Sequence, residues 1–181
     1  MHGPPHRRRY GIQCVLVPAR RPGDHGPHRS PAAGTGQRPL NSTPPRVGIL
    51  LHDLRGGGAE GVMLKLARGL LDRGYAVDIL LVRSGGVLAA LIPEQAAVFE
   101  LNRTRVATAI PKLARYLRDH RPDWLISALT HVNLAAILAR LVSGTGVRLI
   151  VTEHTQISRR ARTAATLSAR LTYALTPVLY R

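Results

Sequence analysis

Three glycines in succession, Gly56, Gly57 and Gly58, with Glu60 and Gly61 just behind, separate the apolar run "RVGILL" (46–51) from a stretch with helical spacing. Such a turn leaves backbone N–H groups open at the start of a helix, whose dipole favours negative charge. It can therefore hold a phosphate or a polarised hydroxyl. Gly56, Gly58 and Gly61 also spell G-x-G-x-x-G, the pattern of dinucleotide-binding loops. Farther along stand His131, close to Asn133, and the adjacent pair Glu153–His154. A histidine can donate to a hydroxyl or offset charge on a departing phosphate. Each position also has a plainer use. His131 and His154 can face solvent or cap a helix, Glu153 can tie down a loop, and Glu60 can complement a helix dipole.

The dinucleotide reading meets two obstacles. It needs the first glycine at the strand end, so that the helix N-terminus approaches a pyrophosphate. Here His52, Asp53, Leu54 and Arg55 intervene. It also wants an acidic residue at the end of the second strand to hold a ribose hydroxyl. Arg83 stands there, while Asp78 falls inside the strand. Because Arg83 would suit a 2′-phosphate, an NADP-binding oxidoreductase domain stays open as an alternative. A P-loop is excluded, since no Gly-Lys-Ser/Thr ends the run.

The elements that must carry these residues alternate. "RVGILL" reads as a strand buried on both faces. Residues 59–73 read as a helix with Met63, Leu66, Ala67 and Leu70 on its inner face, stopped by Gly74. "YAVDILLV" is a second strand, "SGG" (84–86) a turn and "AAVFEL" a third strand. Thr108 is expected to cap the next helix, with Pro111 in its first turn and Leu113 and Leu117 on one face. "DWLISAL", "NLAAILARLV" and "VRLIVT" then give strand, helix and strand. This order predicts an α/β fold, a doubly wound parallel sheet with right-handed crossovers. In such a sheet ligands gather beyond the carboxyl ends of the strands, where the glycine loop, Ser84, His131 and Glu153–His154 all fall.

Composition divides the 181 residues into two segments. Residues 1–45 hold most of the prolines, several His and Arg and one acid, Asp24. Apart from "IQCVLV" nothing there can bury an apolar face, so this segment is expected to be a disordered basic tail and 46–181 the folded domain. The whole chain carries 26 Lys+Arg against 10 Asp+Glu, with Lys65 and Lys112 the only lysines. That excess favours polyanions or an anionic membrane face, so a basic, non-catalytic binding module is a further alternative. No aromatic or Gly-Arg repeat accompanies the charge, and no specific nucleic-acid contact is expected. No apolar run spans a bilayer, and the lone Cys14 indicates a reducing compartment. A cytoplasmic location is expected. Residues 159–181 would form a basic helix whose apolar stripe (Leu167, Leu171, Ala174, Leu175) contacts the inner face of the membrane peripherally.

Together, "GGAEGVMLKLARGLLDRGYAVDILLV", "RPDWLISALTHVNLAAILAR" and "VRLIVTEHT" resemble the first domain of a family 4 glycosyltransferase. The resemblance covers about residues 46–160 and rests on the order and spacing of the motifs. It implies the GT-B fold, in which two Rossmann-like domains face each other across a cleft. The first receives a sugar or lipid-linked acceptor and the second grips a nucleotide-sugar donor. It implies retaining sugar transfer with no metal and no cofactor beyond the nucleotide-sugar as co-substrate. On this resemblance Gly57, Gly58, Ala59 and Glu60 match the glycine loop near donor phosphate and acceptor. His131 matches a histidine facing the reaction centre, and Glu153 and His154 match a pair after the fifth strand. Two positions depart from the pattern: Gly61 where the family usually has Arg, and Thr155 where it often has Asn. The donor-side domain is expected to be absent from these 181 residues, which would make them an inactive acceptor-side fragment.

Overall fold

Val47, Ile49 and Leu50 have nothing to gain from water, and the chain buries them by placing their strand at the middle of a sheet. In a computed structural model of the protein, which describes residues 13–17 and 43–153, the elements run β1 (Gln13–Val17), β2 (Arg46–Leu51), α1 (Gly58–Leu71), β3 (Ala76–Leu81), a 3₁₀ turn (Val87–Leu91), β4 (Ala97–Glu100), α2 (Val106–His120), β5 (Trp124–Ala128), α3 (Thr130–Ser143) and β6 (Arg148–Glu153). The sheet order is β1-β6-β5-β2-β3-β4. Strands β2 to β6 are all parallel, so the doubly wound α/β expectation is met. Both faces of the central strands β2, β3 and β5 are covered, which is why they read as largely apolar runs rather than alternating ones. One core lies between the sheet and α1 with the 3₁₀ turn, around Ile49, Ile79, Met63 and Leu54. The other lies between the sheet and α2 with α3, around Leu50, Leu80, Leu113, Leu117 and Val132. Each fully buried Leu or Ile contributes about 1.5–3 kcal/mol relative to leaving it exposed.

Three expectations need correction. The segment 1–45 is not without structure throughout, because Gln13–Val17 adds an antiparallel edge strand to β6, in register from Gln13 opposite Glu153 to Val17 opposite Leu149. A short apolar run can satisfy its backbone by pairing with a sheet edge, even when only one face packs. The rest of 1–42 and the predicted helix at 159–181 lie outside the described residues. On α1 the buried face is Ala59, Glu60, Met63, Leu64 and Ala67, while Leu66 is 38% exposed. The helix turns Leu64 inward instead, because Leu64 shares a face with Glu60 and Ala67. Finally, α2 begins earlier than expected. Arg105 is its N-cap, Thr108 lies inside the first turn with its hydroxyl donating to the Arg105 carbonyl (2.8 Å), and Pro111 falls beyond that turn.

One buried charge spans the fold. Asp78, in β3, is almost wholly buried. Its carboxylate accepts two bonds from Arg46 Nη1 (3.1 and 3.0 Å) and one from the Tyr116 hydroxyl (2.6 Å). A buried carboxylate persists only with such partners. Tyr116 in turn stacks on His120 and meets Phe99 edge-on, with ring centroids 4.9 and 5.1 Å away, which locks β4 to α2. Burial first, then the hydrogen bond to Asp78, pushes the phenol pKa upward, so the hydroxyl keeps its proton and remains a donor. Tyr116→Phe is expected to lower stability by about 1.5–3 kcal/mol, the usual loss for a hydrogen bond to a charged group. Urea unfolding at neutral pH measures it, and an unchanged midpoint would show that Arg46 alone suffices.

Candidate active site

Strands β2 and β5 are neighbours, yet the chain winds away from them in opposite directions, through α1 toward β3 and through α3 toward β6. Their carboxyl ends therefore bound the crevice at which the strand order reverses, the place where an open α/β sheet takes its ligand. His52 leaves the end of β2, and His131 lies just past the end of β5. Their rings meet there edge to face, centroids 5.3 Å apart and planes at 89°.

The position of His131 is set by a buried polar lattice. Asn133, fully buried, accepts from the Ser127 hydroxyl (2.7 Å) and donates to the Thr152 carbonyl (3.0 Å). The Thr152 hydroxyl donates to the Ser127 carbonyl (3.1 Å). The start of α3 is thereby pinned to the ends of β5 and β6. Helix α3 begins at Thr130, three residues before the predicted Asn133, so His131 belongs to its first turn. The N-cap is Leu129, at φ 79° and ψ 134°. A branched side chain in that region carries strain on the order of 1–3 kcal/mol, tolerated where surrounding bonds over-determine the backbone. Both Val132 and Asn133 donate to the Leu129 carbonyl (3.0 and 2.9 Å), which holds the strained turn.

The glycine loop is built by its own side chains and by a neighbouring turn. Asp53 accepts from the Arg55 backbone N–H (3.2 Å) and pairs with its guanidinium (3.5 Å). Leu54 is fully buried, its carbonyl accepting from Leu88 (2.9 Å). Gly56 takes φ 111°, which only glycine adopts easily. Gly57 has an ordinary φ, −103°, but a Cβ there would run into the carboxylate of Glu60. Glu60 lies buried in the first turn of α1 with its carboxylate beside Gly57. A Cβ on Gly58 would meet nothing within 4 Å. The protein therefore needs glycine at 56, a side chain at 57 would only have to displace the end of the flexible Glu60, and the backbone at 58 faces open space at the head of a helix.

Electrostatically the crevice keeps His131 neutral. Its ring is desolvated by surrounding protein, with the neighbouring His52 adding to the effect, and the two hold its pKa below the ordinary 6.5 against a smaller opposing pull from Asp53. The residue is open at its surface, while protein crowds the ring at longer range. The consequence for stability has a definite sign. Above pH 6.5 the imidazole is neutral in both folded and unfolded chains. As the pH falls below 6.5, the unfolded chain takes up a proton that the folded chain refuses, and stability drops until the folded pKa is passed. An NMR titration of His131 is expected to give a midpoint below 6.5, rising when His52 is replaced by Ala. A midpoint at or above 6.5 in the unmodified protein would overturn this account of the crevice.

A model of Glycosyltransferase Family 4 matches residues 56–180, from the glycine loop onward. The chain belongs to glycosyltransferase family 4. Among solved structures this family 4 domain is similar to the apo form of the lipopolysaccharide outer core galactosyltransferase WaaB, at 15% identity and a TM-score of 0.51, over 71% of this chain and 37% of that one. It is also similar to the glycotransferase of kitacinnamycin, at 18% identity and a TM-score of 0.46, over 74% of this chain and 38% of that one. The chain thus spans little more than a third of either neighbour. No curated protein matches it. Sheet order and family together make the domain a Rossmann-like half of the GT-B kind.

The fold of the family 4 domain gathers most of the expected residues along one edge. Gly57, Gly58, Ala59 and Glu60 open α1, and His131 opens α3. Glu153 ends β6 one residue past Thr152, which pairs with Ala128 of β5, so its backbone reaches the same edge. His154 lies outside the described residues. Ser84, on the same edge, donates to Asn102 Oδ1 (2.6 Å), farther out beyond β3 and β4. Asp78, considered for a ribose, is committed to Arg46 and Tyr116. His120 stacks within the Phe99–Tyr116 group, in keeping with a structural use. Gly61 has open space where a Cβ would be, so the fold does not impose this departure from the family pattern. Sequence reasoning passed over His52 and Asp53 as mere spacers. Their signal was position, since the residues just past a central parallel strand line the crevice. Among the described residues no helix is long and apolar enough to cross a membrane.

Proposed function

We propose that this domain is the acceptor-side half of a retaining glycosyltransferase that moves a sugar from a nucleotide-sugar to a sugar or lipid-linked acceptor, without metal or further cofactor. The observation that carries the reading is the meeting of His131 and His52 at the switch point of a family 4 domain, beside a glycine loop whose Gly58 leaves the helix head uncovered. Kept neutral, His131 can accept a hydrogen bond from an acceptor hydroxyl or donate one to the sugar, according to which nitrogen carries its proton. The N–H groups at the start of α1, beside the open space at Gly58, suit a donor phosphate. Glu153, whose backbone ends β6 at this edge, and His154 are assigned to the acceptor on the family pattern alone. The domain acts on the cytoplasmic side, with peripheral contact to an anionic membrane where the acceptor is lipid-linked.

The test is ligand binding by the domain itself. Saturation-transfer NMR with simple glycosides is expected to show contact that His131→Ala weakens, while NADPH gives none. Tight NADPH binding would instead make Arg83 a 2′-phosphate ligand and the domain an oxidoreductase half.

A further inference from the structure

A cavity of about 560 Å³ lies at the opposite edge of the sheet from His131, beside the amino ends of β5 and β6. We propose that it is an anion site that takes a phosphoryl group, carried by a soluble phosphorylated molecule or by the headgroup of an anionic lipid. Three arginines line it: Arg118 in the last turn of α2, Arg121 at its C-cap and Arg148 at the start of β6. Among the described residues no carboxylate pairs with any of them. The one acid in the wall, Asp123, is already engaged: its Oδ2 accepts the Arg46 backbone N–H at 2.8 Å. Opposite stand the hydroxyls of Ser143 and Thr145, 2.8 Å apart, on a turn flanked by Gly144 and Gly146. Clustered arginines repel one another, and an anion held between them removes that repulsion. The planar fork of arginine matches a phosphoryl group through two parallel hydrogen bonds.

Arg121 supplies a separate reason. It sits in the left-handed region, at φ 43° and ψ 56°, where it ends α2. Glycine performs that task without strain, as Gly144 does at φ 65° at the end of α3. An arginine at such a position contributes to the cavity wall at a conformational cost that stopping the helix does not require. Arg148 is ordered by a different contact, with its guanidinium carbon 5.0 Å from the ring centre of Trp124. Trp124 is the only tryptophan of the chain, so it reports directly on the site.

The experiment follows Trp124 fluorescence in the 181-residue protein during titration with inorganic phosphate and with pyrophosphate, ionic strength being held constant with sodium chloride. A saturable change is expected. Arg118→Gln and Arg121→Gly should each weaken affinity about tenfold, the usual effect of losing one charge-assisted contact. Arg121→Gly relieves the backbone, so its melting temperature should not fall, which separates a lost ligand from a lost fold. No saturable change, or unaltered affinity in both variants, overturns the proposal. Sedimentation with phosphatidylglycerol vesicles, but not phosphatidylcholine ones, that pyrophosphate and Arg121→Gly both abolish makes the source a lipid headgroup. Phosphate binding without sedimentation makes it a soluble ligand. Sedimentation that survives Arg121→Gly, with no phosphate response, overturns the site in favour of arginines elsewhere.

Discussion

Incubated with nucleotide-sugars and sugar acceptors, the 181-residue polypeptide by itself is expected to transfer no sugar above the uncatalysed rate. In the proposed reaction the acceptor and the anomeric carbon of the donor must be held together between two facing domains. Such positioning is worth about 7–11 kcal/mol, equivalent to effective molarities on the order of 10⁵–10⁸ M. The domain described here covers 37% of the galactosyltransferase it is similar to, and in the proposed reaction it supplies one wall of such a cleft. His131 and the head of α1 can still orient an acceptor or a phosphate, so weak binding without turnover is the expected pattern. Radiolabelled transfer or release of nucleoside diphosphate measures it. Turnover at the roughly 1–10³ s⁻¹ typical of enzymes would show that one domain suffices and that the two-domain reading is wrong. In a form that also carries a donor-binding half, His131→Ala is expected to lower kcat about 10²–10³-fold, the usual loss when one preorganised hydrogen-bond partner of the transition state is removed.

Gly86→Ala is expected to be the most damaging small substitution in the domain. Gly86 adopts φ 132° and ψ 158°, a region that excludes side chains. A Cβ there would fall 2.1 Å from the Leu54 carbonyl carbon and 2.5 Å from the Arg55 nitrogen, both backbone atoms that no rotamer change can move aside. The turn at 84–86 braces the glycine loop, since Leu54 donates to the Gly85 carbonyl (3.4 Å) and accepts from Leu88 (2.9 Å). Backbone strain of about 1–3 kcal/mol and overpacking of a similar size together lower the melting temperature by on the order of 10 °C. Separation of the two loops also frees His52 from His131, so the His131 midpoint should rise toward 6.5. Gly58→Ala is the control. Its Cβ meets nothing within 4 Å, and replacing glycine in an unstrained helical position stabilises by about 0.4–1 kcal/mol. If both substitutions lower the melting temperature alike, the bracing role of Gly86 is wrong.

Much of this arrangement is legible in the residues alone, because it depends on local chemistry. Short, largely apolar runs such as "RVGILL" and "YAVDILLV" fit strands covered on both faces, and their alternation with helical periods then points to a parallel, doubly wound sheet. Three glycines before a helix mark a backbone that must bend and stay open, and a histidine just past a later strand falls at the same edge. Those features require no knowledge of which residues touch.

The rest is decided by contacts between residues distant in sequence. That "QCVLV" is an edge strand follows from its backbone pairing with residues 149–153, and nothing in five apolar residues names that partner. Asp78 inside a strand looks the same whether it awaits a ribose or a neighbour. Arg46 and Tyr116 settle the question from 32 and 38 residues away. The true start of α3 turns on the positive φ of Leu129, which side-chain patterning cannot reveal, because a non-glycine residue enters that region only when tertiary bonds force it. His52 gains its place only through the adjacency of β2 and β5, strands separated by the whole of α1, β3, β4 and α2. The sequence by itself determined the elements and the edge of the sheet where ligands gather. Only the tertiary structure decided which side chains meet there, because those meetings depend on strand order and register, and these are settled by the lowest free energy of the whole packed sheet rather than by any segment of it.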